Sequence, residues 1–314
     1  MRIASAVLSA MLASCVLTAC TSSGGGAAPT SSAGTSAPSS GESPSLTRAA
    51  GASSTDPSQL QASGSVPRPS HVVIVVEENH SFGNIIGNPA APYLNSLATQ
   101  GALFTNSAGV AHPSEPNYLA LFSGSTQGVT DDSCPHTFTA GNLGAQLAAA
   151  GDTFAGYSEG LPETGYSGCT SGEYARRHAP WTNFPSVPAS ASLPFSSFPQ
   201  DYNSLPTVSI VIPNVADDMH DGTVAAADTW MKDNLDGYAQ WAKAHNSLLV
   251  VTWDEDEDTA GNHIATIFEG AQVKPGQYSE PITHYRVLRT VEAAYGLPAL
   301  GQAADTQPIT DVWR

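Results

Sequence analysis

The sequence predicts an α/β domain in which a mainly parallel central sheet is flanked by helices. Two observations carry this. Apolar runs rich in β-branched residues recur along residues 70–314, as strands buried on both faces of a sheet require. Between them lie helical patterns that close on Gly, and strands alternating with helices build parallel sheets. The first run is His71-Val72-Val73-Ile74-Val75-Val76. Similar runs occupy 207–212 and 247–252, and a shorter one, Ile264-Ala265-Thr266-Ile267-Phe268, follows. Helices are expected over 92–100, stopped by Gly101, and over 142–150, stopped by Gly151. Two more are expected over 223–245 and 284–295, the last stopped by Gly296. Another should begin near Ser114, because Pro116 suits a first turn and an apolar run follows from Leu119 to Phe122. Residues 152–206, rich in Gly, Pro, Ser and aromatics, are expected to form a loop-rich excursion covering the site.

The segments before residue 70 read as an address. Arg2 precedes a charge-free stretch over 3–17, too short and too rich in Ala and Ser for a membrane span. It ends in Leu17-Thr18-Ala19-Cys20, which looks like a bacterial lipobox. Residues 1–20 are therefore expected to be a lipoprotein signal peptide, with Cys20 lipidated and the protein anchored outside the cytoplasm. Cleavage without lipidation would leave it secreted. A lipid anchor bearing a second acyl chain suffices for stable attachment, and no other membrane association is expected. In residues 21–69, Ser, Thr, Gly, Ala and Pro fill 40 of 49 positions and no aromatic occurs. Such a stretch buries too little apolar surface to offset its ordering entropy, so it is expected to be a disordered tether. Residues 70–314 remain as the catalytic domain. In an oxidising compartment their two cysteines, Cys134 and Cys169, are expected to form a disulfide; two buried free thiols are the alternative.

Charge narrows the function. Of 314 residues, 28 are Asp or Glu and 11 are Lys or Arg, for a formal net charge of -17. That field has the wrong sign for a nucleic-acid scaffold or a polybasic lipid contact. The informative acids sit where strands end, since ligands of open α/β sheets bind beyond the carboxyl ends of the strands. The first strand exits into Glu77-Glu78-Asn79-His80-Ser81-Phe82-Gly83, and the third into Trp253-Asp254-Glu255-Asp256-Glu257-Asp258. A solvated acidic loop has the same composition as the latter. An EF-hand does not fit, because Thr259 and Ala265 stand where its Gly and bidentate Glu belong. Two acidic exits on one sheet edge suggest a divalent cation held by hard oxygen ligands. Between them lies His112-Pro113-Ser114-Glu115-Pro116-Asn117-Tyr118, with Ser114 at a helix N-terminus. There it is either a cap or, beside a metal, a nucleophile. The second strand exits into Pro213-Asn214-Val215-Ala216-Asp217-Asp218-Met219-His220, where Asp and His could contact a second ion or a transferred group. His263 follows the acidic loop.

In this order the motifs resemble the bacterial phosphoesterase family of the alkaline phosphatase superfamily, which holds metal-dependent acid phosphatases and phospholipase C enzymes. The resemblance spans about residues 70–300 and implies an alkaline-phosphatase-like α/β core. It implies a metal set of Glu78, Asn79, Ser114, Asp254 and Glu255, with Ser114 as the nucleophile. His220 and His263 would be catalytic, and His112, Asn117, Asn79 and Asp218 would bind the substrate. The implied activity is a metal-dependent phosphomonoesterase working through a phosphoserine. A phospholipase C or other phosphodiesterase is the first alternative, and an inactive surface binding protein the second. His80 and Gly83 stand where the family often has Arg and Asp, which favours the phosphatase branch. Tyr118 stands where sulfatases carry Arg, which argues against their formylglycine route.

Overall fold

The computed structural model describes residues 65–259 and 261–314. The expected signal peptide, Cys20 and the tether up to residue 64 lie outside the described residues. In chain order the elements are β1 (His71–Glu77), α1 (Phe82–Ile85), α2 (Pro92–Gln100), β2 (Ala102–Ala108), α3 (Glu115–Ser123) and α4 (Leu143–Ala150). Then come β3 (Phe154–Ser158), β4 (Thr170–Ser171), β5 (Tyr174–Ala175), β6 (Ser192–Pro194), β7 (Val208–Ile212) and α5 (Val224–Ala244). The last are β8 (Ser247–Trp253), β9 (His263–Gly270), β10 (Gly276–Tyr278), β11 (Ile282–Thr283) and α6 (His284–Tyr295).

One mixed sheet runs in the order β10-β2-β9-β8-β1-β7-β3-β6, with β11 also paired to β2. Its centre, β8-β1-β7-β3, is parallel. The strand period of two sends Val72, Ile74 and Val76 of β1 into one apolar layer and Val73 and Val75 into the other. The first layer is closed by residues of α3, α4 and α6, the second by residues of α2 and α5. Both faces of β1 are therefore covered, which is why its sequence is a continuous apolar run instead of an alternating one.

Three departures from expectation have physical causes. The run at 264–268 is a strand, but β9 lies antiparallel to both β8 and β2. The acidic loop joining β8 to β9 is too short for the crossover that a parallel pair requires. Strand β2 was not expected, because Thr105, Asn106 and Ser107 interrupt its apolar character. Strand β3 was placed inside the excursion but belongs to the core sheet, paired with β7 from Phe154↔Val208 to Ser158↔Ile212. The excursion proper starts after Ser158.

Cys134 and Cys169 form the expected disulfide, 35 positions apart. It ties the loop bearing Asp132 to the segment before β5, where Arg176 N–H also donates to the Cys169 carbonyl. Replacing both cysteines with Ser should lower unfolding free energy by about 2–4 kcal/mol, from the loop entropy restored to the unfolded chain. Denaturant titration of the two proteins measures this, and coincident midpoints would refute it.

Candidate active site

The register of three parallel strands assembles the site. In β1 and β8, Glu77 stands beside Trp253, so the next residues, Glu78 and Asp254, emerge side by side. Backbone bonds lock the exits together: Asp254 N–H donates to the Glu77 carbonyl at 2.9 Å, and Glu78 N–H to the Asp218 carbonyl at 2.8 Å. Asp218 comes from the loop after β7, which bends sharply through Met219 at φ 81°. His220 N–H donates to Asp218 Oδ1 at 2.8 Å across that bend. The exits of β7, β1 and β8 thus deliver three carboxylates in a row.

Ser114 lies beneath them. It precedes α3, every residue of which is buried, but its side chain makes no capping hydrogen bond. Its Oγ lies 3.0 Å from Glu78 Oε2 and 3.1 Å from Glu255 Oε1. The cap-only reading of this serine therefore fails. The first free N–H of the helix is taken by Asp132, whose Oδ1 accepts from Glu115 N at 2.9 Å. It is not open to an anion.

The acidic loop is held by Asn262, whose amide accepts from Asp256 N and donates to the Ala111 carbonyl. Gly109 allows this approach, since a Cβ there would stand 2.7 Å from the Asp254 carbonyl oxygen and 2.5 Å from Asn262 Oδ1. Asn79, at φ 52°, donates its N–H to Asp254 Oδ1 at 3.2 Å.

His178 is the participant that sequence reasoning missed. Its buried ring sits with Nε2 3.1 Å from Glu78 Oε1 and Nδ1 3.3 Å from Asp218 Oδ2. Tyr118 stacks on it and donates its hydroxyl to Glu78 Oε1. His178 belongs to the irregular excursion, far in sequence from the strand exits. One signal was available: Arg176 and Arg177 are the only Lys or Arg between Arg68 and Lys232.

Placement of the other expected residues is uneven. His112 lies at the rim, with Nδ1 2.6 Å from Glu255 Oε2 and Nε2 3.5 Å from Asp256 Oδ1. It shares a pocket of about 430 Å³ with Asn79, Glu255 and Asp256. His220 Nδ1 meets Asp221 Oδ1 at 2.8 Å. Asn117 is occupied elsewhere. Its amide oxygen accepts from Val110 and Ala111 N–H, and its nitrogen donates to the Ala111 and Pro113 carbonyls. It shapes the loop before Ser114 and has no donor left for a substrate. His263 is also diverted. It opens β9, stacks on Phe82 and places Nε2 3.0 Å from the Thr105 carbonyl, so it does not join the Ser114 group.

The floor of the site is a set of crowded acids. Burial, with the repulsion of Asp254 and Asp218 added, holds the Glu78 carboxyl well above the usual range. Burial and then Glu255 do the same for Asp254. Burial lifts Asp218 to about 7 and raises Glu255 against the pull of His112. His178 is held well below its ordinary value, first by burial and then by Arg177 and His220. Among the described residues Asp254 Oδ2 has no hydrogen-bond partner, and the contacts of His178 Nε2 with Glu78 and of Asp218 Oδ2 with His178 are not aligned as hydrogen bonds. Ligand atoms of Glu78, His178 and Asp218 lie within 4.8 Å of one another. Orphaned hard oxygens at this density fit a divalent cation. At the rim stand His112, Arg177 and His220, whose side chains are 33%, 22% and 26% exposed. An acidic floor under a basic rim suits a metal below and an anion above.

Comparison with known proteins agrees. Several solved structures share the fold at low identity. A superfamily protein from Vibrio parahaemolyticus aligns with a TM-score of 0.53 at 12% identity, covering 79% of this chain and 72% of its own. The lipoteichoic acid synthase LtaP of Listeria monocytogenes aligns at 0.54 with 10% identity, covering 77% and 75%. In sequence, the phosphatidylinositol-3-phosphatase of Mycobacterium tuberculosis is 54% identical over 255 residues, 80% of this chain and 85% of that protein. The phosphate-repressible acid phosphatase of Penicillium chrysogenum is 29% identical over 67% of this chain, which spans 55% of that longer protein. Residues 88–298 match the phosphoesterase family. The chain belongs to the phosphoesterase family, the hydrolases of phosphate esters, as its strand-end motifs implied.

Proposed function

We propose that the chain is a metal-dependent phosphomonoesterase, exported and lipid-anchored through Cys20, that works through a phosphoserine at Ser114. The observation that carries this reading is the Ser114 hydroxyl, within hydrogen-bond reach of Glu78 and Glu255 on a floor of crowded, buried carboxylates. A divalent cation held by Glu78, Asn79, Ser114, Asp254 and Glu255 would favour the serine alkoxide and offset charge on the phosphoryl oxygens. Ser114 Oγ attacks phosphorus in line as its proton passes to Glu78 or Glu255, the carboxylates it already touches. The new Oγ–P bond forms as the bond to the leaving oxygen breaks. His220, oriented by Asp221 at its Nδ1, protonates that oxygen. Water then attacks the phosphoserine as the neutral His220 takes one of the water's protons; the Oγ–P bond breaks, Ser114 recovers its proton from the carboxylate that held it, and inorganic phosphate leaves. His178, whose burial disfavours its charged form, lies between Glu78 and Asp218.

The 54% identical relative supports a monoester substrate and makes an inositol lipid phosphate one to test. Export is supported by the charge-free stretch ending at Cys20. After dialysis against a chelator, the protein should hydrolyse p-nitrophenyl phosphate only once a divalent cation is returned. It should prefer that monoester to bis(p-nitrophenyl) phosphate. A preference for the diester would move the assignment to the phospholipase C type, and undiminished activity in chelator would remove the metal.

A further inference from the structure

One cation at the mouth of the site has no part in the mechanism above. Arg176 and Arg177 are neighbours in sequence but serve different ends. Arg176 is buried, and its guanidinium donates to the Ser167 and Thr182 carbonyls and to Thr182 Oγ1. Those bonds commit it to holding the excursion together. Arg177 turns to the site instead. Its NH2 nitrogen lies 3.0 Å from His220 Nε2, and its Nε 3.8 Å from Asp132 Oδ2.

Neither contact is a strong partner for a full positive charge. His220 offers a single nitrogen lone pair, because its other nitrogen meets Asp221. Asp132 lies beyond hydrogen-bond range, and its Oδ1 already accepts from Glu115 N–H. The Nε of Arg177 has no hydrogen-bond partner among the described residues. A guanidinium carries five donors in a planar fork suited to two oxygens of a phosphate, and most of this fork is uncommitted. Its location is set from two sides. Asp132 reaches the backbone of Glu115, next to Ser114. His178, the next residue in the chain, touches Glu78, which binds Ser114.

We propose that Arg177 is a substrate-contacting residue that leaves His220, forks two non-bridging oxygens of the bound phosphoryl group, and thereby selects monoester dianions over diester monoanions. The inference rests on the Ser114 phosphatase reading and adds its charge selectivity. A monoester brings two charges and three non-bridging oxygens, a diester one charge and two. Over an acidic floor, the second charge is tolerated only if a rim cation balances it. Transfer of the fork to phosphate also frees the His220 Nε2 lone pair, which can then take a proton from solvent and deliver it to the leaving oxygen.

The test compares wild type, Arg177→Met and Arg177→Lys in the full chain with the same divalent cation, on p-nitrophenyl phosphate and on bis(p-nitrophenyl) phosphate. Loss of charge-assisted hydrogen bonds to the dianion should lower kcat/KM for the monoester by about 10- to 100-fold in Arg177→Met. The diester should be nearly unaffected, and Arg177→Lys should recover part of the loss. Equal losses on both esters would mark a merely structural residue and overturn the proposal, as would no loss on either. A wild type inert toward both esters would overturn the phosphatase reading separately. The rise in Tm caused by inorganic phosphate needs no turnover and still tests Arg177. That rise should shrink in Arg177→Met, and an unchanged rise would overturn the proposal.

Discussion

Ser114→Ala should lower kcat on p-nitrophenyl phosphate by about three orders of magnitude or more, since removal of a nucleophile leaves only binding and electrostatic stabilisation. The fold should survive. The side chain makes no capping bond to α3, and the lost hydroxyl shares its one proton between two carboxylates that have other partners: Tyr118 for Glu78 and His112 for Glu255. A stability change of about 1 kcal/mol is the expected scale for such a bond. Acid quenching during turnover should trap phosphate covalently on wild type and not on Ser114→Ala, with peptide mapping placing the label at residue 114. Near wild-type turnover by the variant, or a label elsewhere, would sink the nucleophile assignment. Retained turnover without any trapped label would point to direct attack by water.

How much of this was legible in the sequence depends on what each residue needs from its surroundings. The runs of β1, β7 and β8 announce themselves because strands buried on both faces leave no room for polar residues. Their exits follow at once, so Glu78, Asp218 and Asp254 are found by walking off the end of each strand. The N-terminal turn of α3 is legible through Pro116, and with it the position of Ser114. Strands β2 and β3 were harder, one broken by Thr105, Asn106 and Ser107, the other only five residues long with Gly156 at its centre. That glycine is required because a Cβ would lie 2.1 Å from the Trp181 ring, a contact no local pattern can reveal.

The histidines show the same limit. His220 and His112 lie inside motifs whose backbone is fixed by adjacent strands, and both arrive at the rim. His263 sits next to the acidic loop in sequence, yet the antiparallel direction of β9 carries its ring to Phe82 and the Thr105 carbonyl. His178 depends on the path of a long irregular segment pinned by the Cys134–Cys169 disulfide and by Arg176. Sequence distance misplaced one histidine and hid the other.

Asp254→Asn should change stability in opposite directions with and without a divalent cation. In chelator, Asp254 crowds Glu78 and Glu255 in a buried setting that raises all three carboxyls. Its Oδ1 accepts the Asn79 N–H, the Ser114 hydroxyl and the Glu255 backbone also favour its ionised form, and its Oδ2 has no hydrogen-bond partner among the described residues. An Asn side chain keeps that acceptor, removes a charge and can donate to Glu255, so the cation-free variant should match or exceed wild type in Tm. With a cation present at about a hundred times its Kd, wild type should gain about 2.7 kcal/mol by linkage. The variant, short of one anionic ligand, should gain far less, and the order of the two Tm values should reverse. Its hydrolytic activity should be lost in the same titration, because the charge that draws in the cation also prepares Ser114. An equal cation-induced rise in both proteins would take Asp254 out of the ligand set. A large fall in Tm of the cation-free variant would show that the carboxylate is held by bonds it needs, and that the crowding argument for a metal has the wrong sign.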